Sequence, residues 1–308
     1  MKPLPSNGPR PTTVQNGAAL CISIDLEMAW GRWEQIDDRY LRLAEQADRP
    51  IVRRLLELAE RYDIPMTWAV VGRIFDDSPG FANLKGPREA WFAPELVEAI
   101  QKSPVAHDIG SHSYAHVYYD KLSDAEASLD LGRDVELRKR WGIPARSWVF
   151  PRNGVAHVDK LVEAGVEVYR TLDAGWLERV RNIAPRLYPI GNLLDKILPI
   201  TPPLVEAPGR SPGGSGAVAL PSSTILLARN GLRRLVLPGV TKQRWIRAID
   251  DAAREHKVFH PWFHPSAFYF DPEPQFAMFE AVLRFAAGKR DAGALRIATM
   301  ADFAGAAS

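Results

Sequence analysis

Short apolar or alternating runs recur along the chain, separated by segments with helical spacing. The runs LCISIDLE, HDIGS, SWVFP, VEVYRTL, KVFHPWFH and LRIAT predict strands. Helices are predicted for RPIVRRLLELAERY and for DAEASLDLGRDVELRKRWG, which begins with a capping box at Ser123 and Glu126 and ends at Gly142. Repeated strand–helix units predict an α/β fold, either a parallel β/α barrel or a doubly wound sheet. In both folds, functional residues gather at the C-terminal ends of the strands.

Three segments depart from this rhythm. Residues 1–19 are rich in Pro, Gly and Asn and predict a flexible tail, which leaves one domain over residues 20–308. Residues 185–222 contain many prolines and glycines and predict an irregular insertion. The basic segment 229–247 predicts one or two helices with a solvated face, or alternatively a surface that contacts a membrane or phosphate groups.

Composition narrows the class of protein. A chain of 308 residues with 46% hydrophobic residues can bury a substantial core. The chain has 39 lysine and arginine residues and 37 acidic residues, so its formal net charge is only +2. A charge this small argues against a nucleic-acid partner. The single Cys21 excludes an internal disulfide, and the first residues carry no signal-peptide pattern. We therefore expect a cytoplasmic protein, with a peripheral position at the inner face of the membrane as the alternative.

Two acids share one face of the first predicted strand. In LCISIDLE the apolar residues alternate with polar ones, so Asp25 and Glu27 point the same way at the end of the strand. They are either surface acids with salt-bridge partners or neighbours in an interior site. In the second case they would repel each other unless a cation lies between them or one stays protonated.

The stretch GSHSYAH offers two histidines, His112 and His116, with the spacing of metal ligands on a helical turn. This spacing alone is common and does not establish a metal site. The preceding strand-like HDIGS, however, places His112 at the same strand-end level as the acids. One or two carboxylates with two histidines would leave positions open for water and substrate, as a catalytic divalent metal requires.

Further candidates follow other predicted strands. His260 and His264 each precede a proline and therefore adopt extended backbone, on the same face as Trp262. His264, nearer the strand end, is a candidate general acid, whereas packing explains His260 better. Arg152 follows SWVFP and either faces solvent or holds a carboxylate ionised. We expect the substrate to contact Trp30, Tyr114, Asp173, Trp176 and Trp262, although core packing is an equal alternative for Trp176.

Taken in order, SIDLE, HSYAH, FPRNG, LDAGW and WFHP resemble the motifs of the polysaccharide deacetylase superfamily, the family 4 carbohydrate esterases. The resemblance runs from about Leu20 to Phe303 and leaves residues 185–240 without a match. It implies a single-domain, distorted parallel (β/α)7-type barrel. It also implies one bound divalent metal ion, commonly zinc, and removal of N-acetyl groups from amino sugars.

The resemblance also implies roles for individual residues. Asp25 matches the catalytic base, Arg152 the arginine that orients it, and His264 the catalytic acid. His112 and His116 match the metal-binding histidines. The family's first motif has two adjacent aspartates, whereas Leu26 follows Asp25 here. The carboxylate ligand is therefore Glu27, Asp25 itself or water, and strand alternation favours Glu27. A backbone N–H near Tyr114 is expected to stabilise the oxyanion with the metal.

The changed motifs are similar to a cytoplasmic branch of the superfamily linked to surface-glycan assembly. We therefore expect a zinc-dependent hydrolase that removes an N-acetyl or other N-acyl group from an amino sugar carried by a nucleotide, a lipid or a polymer. One alternative is deformylation, or hydrolysis of another C–N bond, on a lipid-linked sugar at the membrane surface. The other is a catalytically silent glycan-binding protein, against which the retention of all the matched residues argues.

Overall fold

The structure is a computed structural model that describes residues 17–78, 84–172, 208–210 and 216–304. Its centre is a nine-stranded sheet in which eight parallel strands curl into a half-barrel. The strands of the protein are β1 (Ala19–Cys21), β2 (Ser23–Leu26), β3 (Thr67–Val70), β4 (Asp108–Ser111), β5 (Ser147–Val149), β6 (Val168–Thr171), β7 (Gly209–Arg210), β8 (Val218–Pro221), β9 (Thr224–Ile225), β10 (Val258–Phe259), β11 (Pro261–Phe263) and β12 (Arg296–Ala298). Their order in the large sheet is β7-β8-β6-β5-β4-β3-β2-β11-β9, with β7 antiparallel at one edge.

Two pairs of consecutive strands, β1 with β2 and β10 with β11, connect the two sheets of the protein. β1 continues into β2 across Ile22, and β10 continues into β11 across His260. Their first halves form a second sheet in the order β10-β1-β12. The link between β8 and β9 joins the two ends of the curled sheet, because the Ser222 N–H donates to Thr171 O (2.9 Å) and the Ser223 N–H donates to His260 O (2.7 Å).

Helices cover the outside of the sheet: α1 (Asp38–Tyr62), α2 (Pro94–Lys102), α3 (Asp124–Trp141), α4 (Val158–Glu163), α5 (Pro238–Glu255) and α6 (Pro272–Asp291). The predicted capping box of α3 is present, and the helix ends at Gly142, whose φ of 64° suits glycine. None of the helices in the described segments is long and apolar enough to cross a bilayer. The predicted distorted β/α barrel is therefore confirmed.

The first strand has the two faces that its sequence predicts. Leu20, Ile22, Ile24 and Leu26 belong to the core between the sheet and its helices. Ala19 and Cys21 belong instead to a second core, inside the barrel, together with Val168 and Leu220. Since side chains alternate along a strand, Ser23 and Asp25 share the barrel interior with Cys21.

One segment differs from its prediction. Much of the predicted insertion at 185–222 lies outside the described residues, but its last part forms β8, paired with β6. The glycines and prolines before this strand conceal it in the sequence, although Val218 and Leu220 are buried.

The basic segment 229–247 agrees with the prediction of one or two helices. A short 3-10 turn at Gly231–Leu235 precedes α5, which Pro238 begins.

Candidate active site

The site lies where the parallel strands end. Glu27 directly follows β2, His112 follows β4, and His264 follows β11. The C-terminal ends of parallel strands meet at one edge of a barrel, so residues far apart in sequence come together there. The predicted residues Asp25, Glu27, His112, His116 and His264 are all brought to this edge.

Three imidazoles converge on one oxygen of Glu27. The Nε2 atoms of His112, His116 and His264 lie 2.9, 3.0 and 3.3 Å from Glu27 Oε1. His112 and His116 are buried, as is Glu27. One carboxylate oxygen has two lone pairs, so three nitrogen atoms around it are more than its hydrogen bonds require.

The two buried histidines are oriented towards Glu27. His112 Nδ1 lies 2.8 Å from the carbonyl oxygen of Val149 and donates to it, which turns Nε2 towards Glu27. Burial lowers the pKa of His116, even though Glu27 opposes this change, and therefore favours its neutral form. A hydrogen bond from the other ring nitrogen to a backbone carbonyl is the arrangement in which proteins hold a histidine that binds a metal.

This donor set fits a divalent metal. Glu27, His112 and His116 place their ligand atoms within 4.8 Å of one another, and two histidines with one carboxylate form a known catalytic zinc set. Asp25, Glu27 and His264 form a second group that meets the same distance. Glu27 belongs to both groups, whereas both oxygens of Asp25 are bound by an arginine, which favours Glu27 as the carboxylate ligand.

Arg170 of β6 is the partner of Asp25. Its Nη1 and Nη2 donate to Asp25 Oδ1 and Oδ2 at 2.7 and 2.6 Å, and Nη1 also donates to Ser23 Oγ at 3.0 Å. The guanidinium lies over Trp262, 4.2 Å from the ring centroid. Burial alone would raise the pKa of Asp25, but the charge and hydrogen bonds of Arg170, together with the charges of His112 and His264, outweigh burial and hold this pKa below its ordinary value. Asp25 is therefore ionised and fixed in place.

The prediction that Arg152 orients Asp25 is corrected by this geometry. Arg152 instead donates to Gly31 O at 3.3 Å and lies over the ring of Tyr118 at 5.9 Å. The reason is topological, because Arg170 shares the interior-facing side of β6 with the buried Val168 and reaches across the barrel to β2. The alternation of residues within VEVYRTL predicts that Arg170 lies on the same face as Val168. The sequence does not reveal which strand lies opposite that face.

His264 lies at the solvent side of the site, with 28% of its side chain exposed. Its Nε2 is 3.8 Å from Asp25 Oδ2 as well as 3.3 Å from Glu27 Oε1. Burial alone would lower the pKa of His264, but the negative charges of Glu27 and Asp25 outweigh burial and raise it. A protonated imidazole at the mouth of the site can act as a proton donor.

His260 lies deeper in the barrel. Its Nε2 is 2.9 Å from Ser23 Oγ and its Nδ1 is 3.2 Å from Pro221 O. Burial lowers the pKa of His260 to about 3, so the ring is neutral. Its contacts agree with the packing interpretation, and they extend the hydrogen-bonded chain from Asp25 through Arg170 and Ser23.

Three of the predicted substrate-lining residues, Trp30, Tyr114 and Trp262, are buried. Trp30 donates its Nε1–H to Trp91 O at 2.9 Å, and the Tyr114 hydroxyl donates to Asp76 at 3.0 Å. Trp262 packs against the Arg170 guanidinium. These three residues hold the framework of the site and do not offer ring faces to a sugar. Asp173 and Trp176 lie outside the described residues.

Asp130 of α3 was not predicted and fixes the loop that carries the two histidines. Its carboxylate accepts the backbone N–H groups of Tyr114 and Ala115 at 3.0 and 3.1 Å, and the Tyr119 hydroxyl at 3.1 Å. The N–H groups of Tyr114 and Ala115 are therefore engaged, so the N–H expected to stabilise an oxyanion must come from another neighbouring position. No sequence signal links Asp130 to this loop, because the contact depends on how α3 packs.

Backbone strain is concentrated at the site. Met28, Ser113, His116, Arg152 and Asn153 all have positive φ, between 48° and 62°. Non-glycine residues rarely adopt this conformation, and they do so most often at functional sites. A Cβ added at Gly31 would also overlap the Glu27 carboxylate, so this position requires glycine.

Comparisons with known proteins agree with the motifs. The family model for polysaccharide deacetylase matches residues 36–167, a range that includes both metal-site histidines and Arg152. No curated protein matches the sequence.

Solved structures share the fold. A protein from Mycobacterium smegmatis assigned to the polysaccharide deacetylases is 16% identical, with a TM-score of 0.68 over 99% of this chain and 94% of that one. A second, from Pseudomonas aeruginosa PAO1, is 16% identical, with a TM-score of 0.61 over 94% and 90%. The allantoinase PuuE is also 16% identical, with a TM-score of 0.61 over 97% and 93%. The ordered motifs and the family model over residues 36–167 thus resemble the polysaccharide deacetylases, and the solved structures share the fold.

Proposed function

We propose that the protein is a zinc-dependent deacetylase that removes the N-acetyl group from an amino sugar of a surface-glycan precursor. The observation that carries this proposal is the convergence of His112 and His116 on Glu27, beside an Asp25 held by Arg170. A metal-binding group and a fixed carboxylate in one cleft are the two elements that amide hydrolysis by water requires.

Each residue has a chemical task in this proposal. Glu27, His112 and His116 would hold the metal, which when bound supplies a Lewis acid and lowers the pKa of water. Asp25 accepts the proton of the attacking water, and Arg170 keeps it ionised and aimed. His264 donates a proton to the departing amine nitrogen.

Acetate release from an N-acetylated sugar tests the proposal. Chelation should abolish release, and one equivalent of zinc should restore it. His264→Gln should bind zinc as the wild type does but lose at least about 100-fold in turnover, the contribution expected of a general acid. His256→Asn is the control, because His256 is exposed at the end of α5 and Asn tolerates its left-handed conformation. Turnover that survives chelation would refute a metal-dependent reaction.

A second candidate is hydrolysis of a C–N bond, deformylation included, on a lipid-linked sugar at the inner face of the membrane. It is favoured by Leu232, Leu235 and Leu237, which are 72%, 58% and 56% exposed on the turn that also carries Arg233 and Arg234. Exposed leucines interleaved with arginines suit an anionic bilayer. Sedimentation with anionic liposomes, compared with neutral ones, distinguishes this candidate, and formate release would identify deformylation.

A further inference from the structure

The cleft that opens beside Glu27 and His264 has an arginine-rich wall. Its volume is about 500 Å³. Four arginines line this cleft, and we call them the arginine wall: Arg32, Arg39, Arg152 and Arg233. Arg32 and Arg39 are close in sequence, whereas Arg152 and Arg233 come from two distant parts of the chain, so the fold brings three segments together in one cleft.

The charges of this cleft are unbalanced. Its two acidic residues are already engaged, since Glu27 lies among the histidines and Asp37 accepts the backbone N–H of Tyr40 at 2.7 Å to cap α1. In the described segments, no residue of the arginine wall forms a salt bridge. Arg229, which lines a neighbouring pocket and not this cleft, differs because it pairs with Asp271 at 3.0 Å.

Two of the guanidinium groups cover two of the three aromatic residues of the cleft, Tyr40 and Phe270, and the third is Tyr269. Arg32 lies over Tyr40 at 4.9 Å and Arg39 lies over Phe270 at 5.1 Å, measured to the ring centroids. Stacking of this kind orients a guanidinium while leaving its N–H edge available. The cleft thus presents cationic hydrogen-bond donors where a site for neutral sugar polymers would present aromatic faces.

We propose that the arginine wall is a subsite for a phosphate ester on the sugar that is deacetylated, so that the substrate is a glycosyl phosphate or diphosphate. This inference rests on the proposed deacetylase function and names its substrate class. Phosphate oxygens match the paired N–H donors of arginine, and several guanidinium groups are needed to neutralise a diphosphate. Sugars linked to nucleotides and sugars linked to polyprenyl carriers both contain this phosphate group, so the arginine wall would bind either kind of substrate.

Kinetics with a matched substrate pair test the subsite. Acetate release is measured for N-acetylglucosamine 1-phosphate and for the neutral methyl N-acetylglucosaminide. The wild type should show a kcat/KM at least about tenfold higher for the phosphate, because one charge-assisted contact accounts for that factor. Arg39→Gln and Arg233→Gln should each remove most of this preference, measured as the ratio of kcat/KM for the phosphate to kcat/KM for the neutral substrate.

Two neighbouring arginines provide matched controls. Arg42 lies on the same helix as Arg39, and Arg234 lies on the same turn as Arg233, but neither lines the cleft. Arg42→Gln and Arg234→Gln should keep the preference within about twofold. Equal kcat/KM for both substrates in the wild type, or equal losses in the control variants, would overturn the proposal.

Binding separates failure of the subsite from failure of the deacetylase. Calorimetry of the zinc-loaded protein with N-acetylglucosamine 1-phosphate should show about tenfold weaker binding in Arg39→Gln than in Arg42→Gln, whether or not acetate is released. Identical affinities would overturn the subsite, whereas differing affinities without acetate release would overturn only the deacetylase. Uridine-diphosphate-linked and polyprenyl-diphosphate-linked N-acetylglucosamine then identify the carrier, and preference for either one supports the subsite.

Discussion

Replacement of Arg170 by methionine should destabilise the protein far more than replacement of Arg152. Arg170 and Asp25 are both buried and joined by two hydrogen bonds of 2.7 and 2.6 Å. Methionine keeps much of the side-chain volume but leaves the Asp25 charge in the barrel interior without a partner. Breaking one side of such a pair costs about 3–5 kcal/mol.

Protonation limits this cost. Without Arg170, burial would raise the pKa of Asp25, so that at low pH the carboxyl becomes neutral and part of the loss is recovered. The destabilisation should therefore be larger at pH 8 than at pH 5. In a chain of this size, 3–5 kcal/mol corresponds to a fall in Tm of roughly 5–8 °C. Arg152→Met, at an exposed position, should change stability by less than about 0.5 kcal/mol.

A double-mutant cycle in urea isolates the pair. Asp25→Asn removes the buried charge, so Arg170→Met should cost less in the Asp25→Asn background than alone, with a coupling of roughly 1–3 kcal/mol. The reasoning is refuted if Arg170→Met costs the same in both backgrounds, or if it destabilises the protein no more than Arg152→Met does.

Two further changes probe the surroundings of the site. Gly31→Ala should push the Glu27 carboxylate aside and weaken zinc binding by about 10–100-fold, measured by chelator competition. Gly132→Ala in α3 is the control, because a Cβ there meets no atom within 4 Å and zinc binding should be unchanged. Equal zinc affinities of the two variants would contradict the role of Gly31. Burial raises the pKa of Asp48 to about 7, so its ionisation costs stability as the pH rises from about 4 to 7. Asp48→Asn should therefore gain roughly 2–3 kcal/mol more in urea unfolding at pH 8 than at pH 5, and a gain independent of pH would show that Asp48 is not neutral in the folded state.

Local periodicity accounts for what the sequence predicts well. The alternation in LCISIDLE places Asp25 inside the barrel, and the capping box at Ser123 locates the start of α3. Both follow from rules that act within a few residues, namely strand alternation and helix capping. The strand ends then bring Glu27 and His112 together, because parallel strands share one C-terminal edge.

Contacts between distant segments account for what it does not predict. Arg170 replaces Arg152 at Asp25 because β6 faces β2 across the barrel, a relation that depends on how the sheet curls. Asp130 reaches the histidine loop only once α3 has packed. The burial of Trp30 likewise depends on Trp91, which lies 61 positions along the chain. A residue type at the end of a strand predicts proximity to a site, but it does not predict which neighbour binds it.

The central claim is that Glu27, His112 and His116 hold one divalent metal ion and that Asp25 does not. The metal-to-protein ratio after dialysis against zinc, measured by elemental mass spectrometry, tests this most directly. Wild type and Asp25→Asn should each retain about one equivalent, whereas Glu27→Gln and the double variant His112→Ala, His116→Ala should fall below about a tenth, with folding checked by circular dichroism. Full occupancy in the double variant would contradict the site itself, and loss of zinc in Asp25→Asn with retention in Glu27→Gln would make Asp25 the ligand.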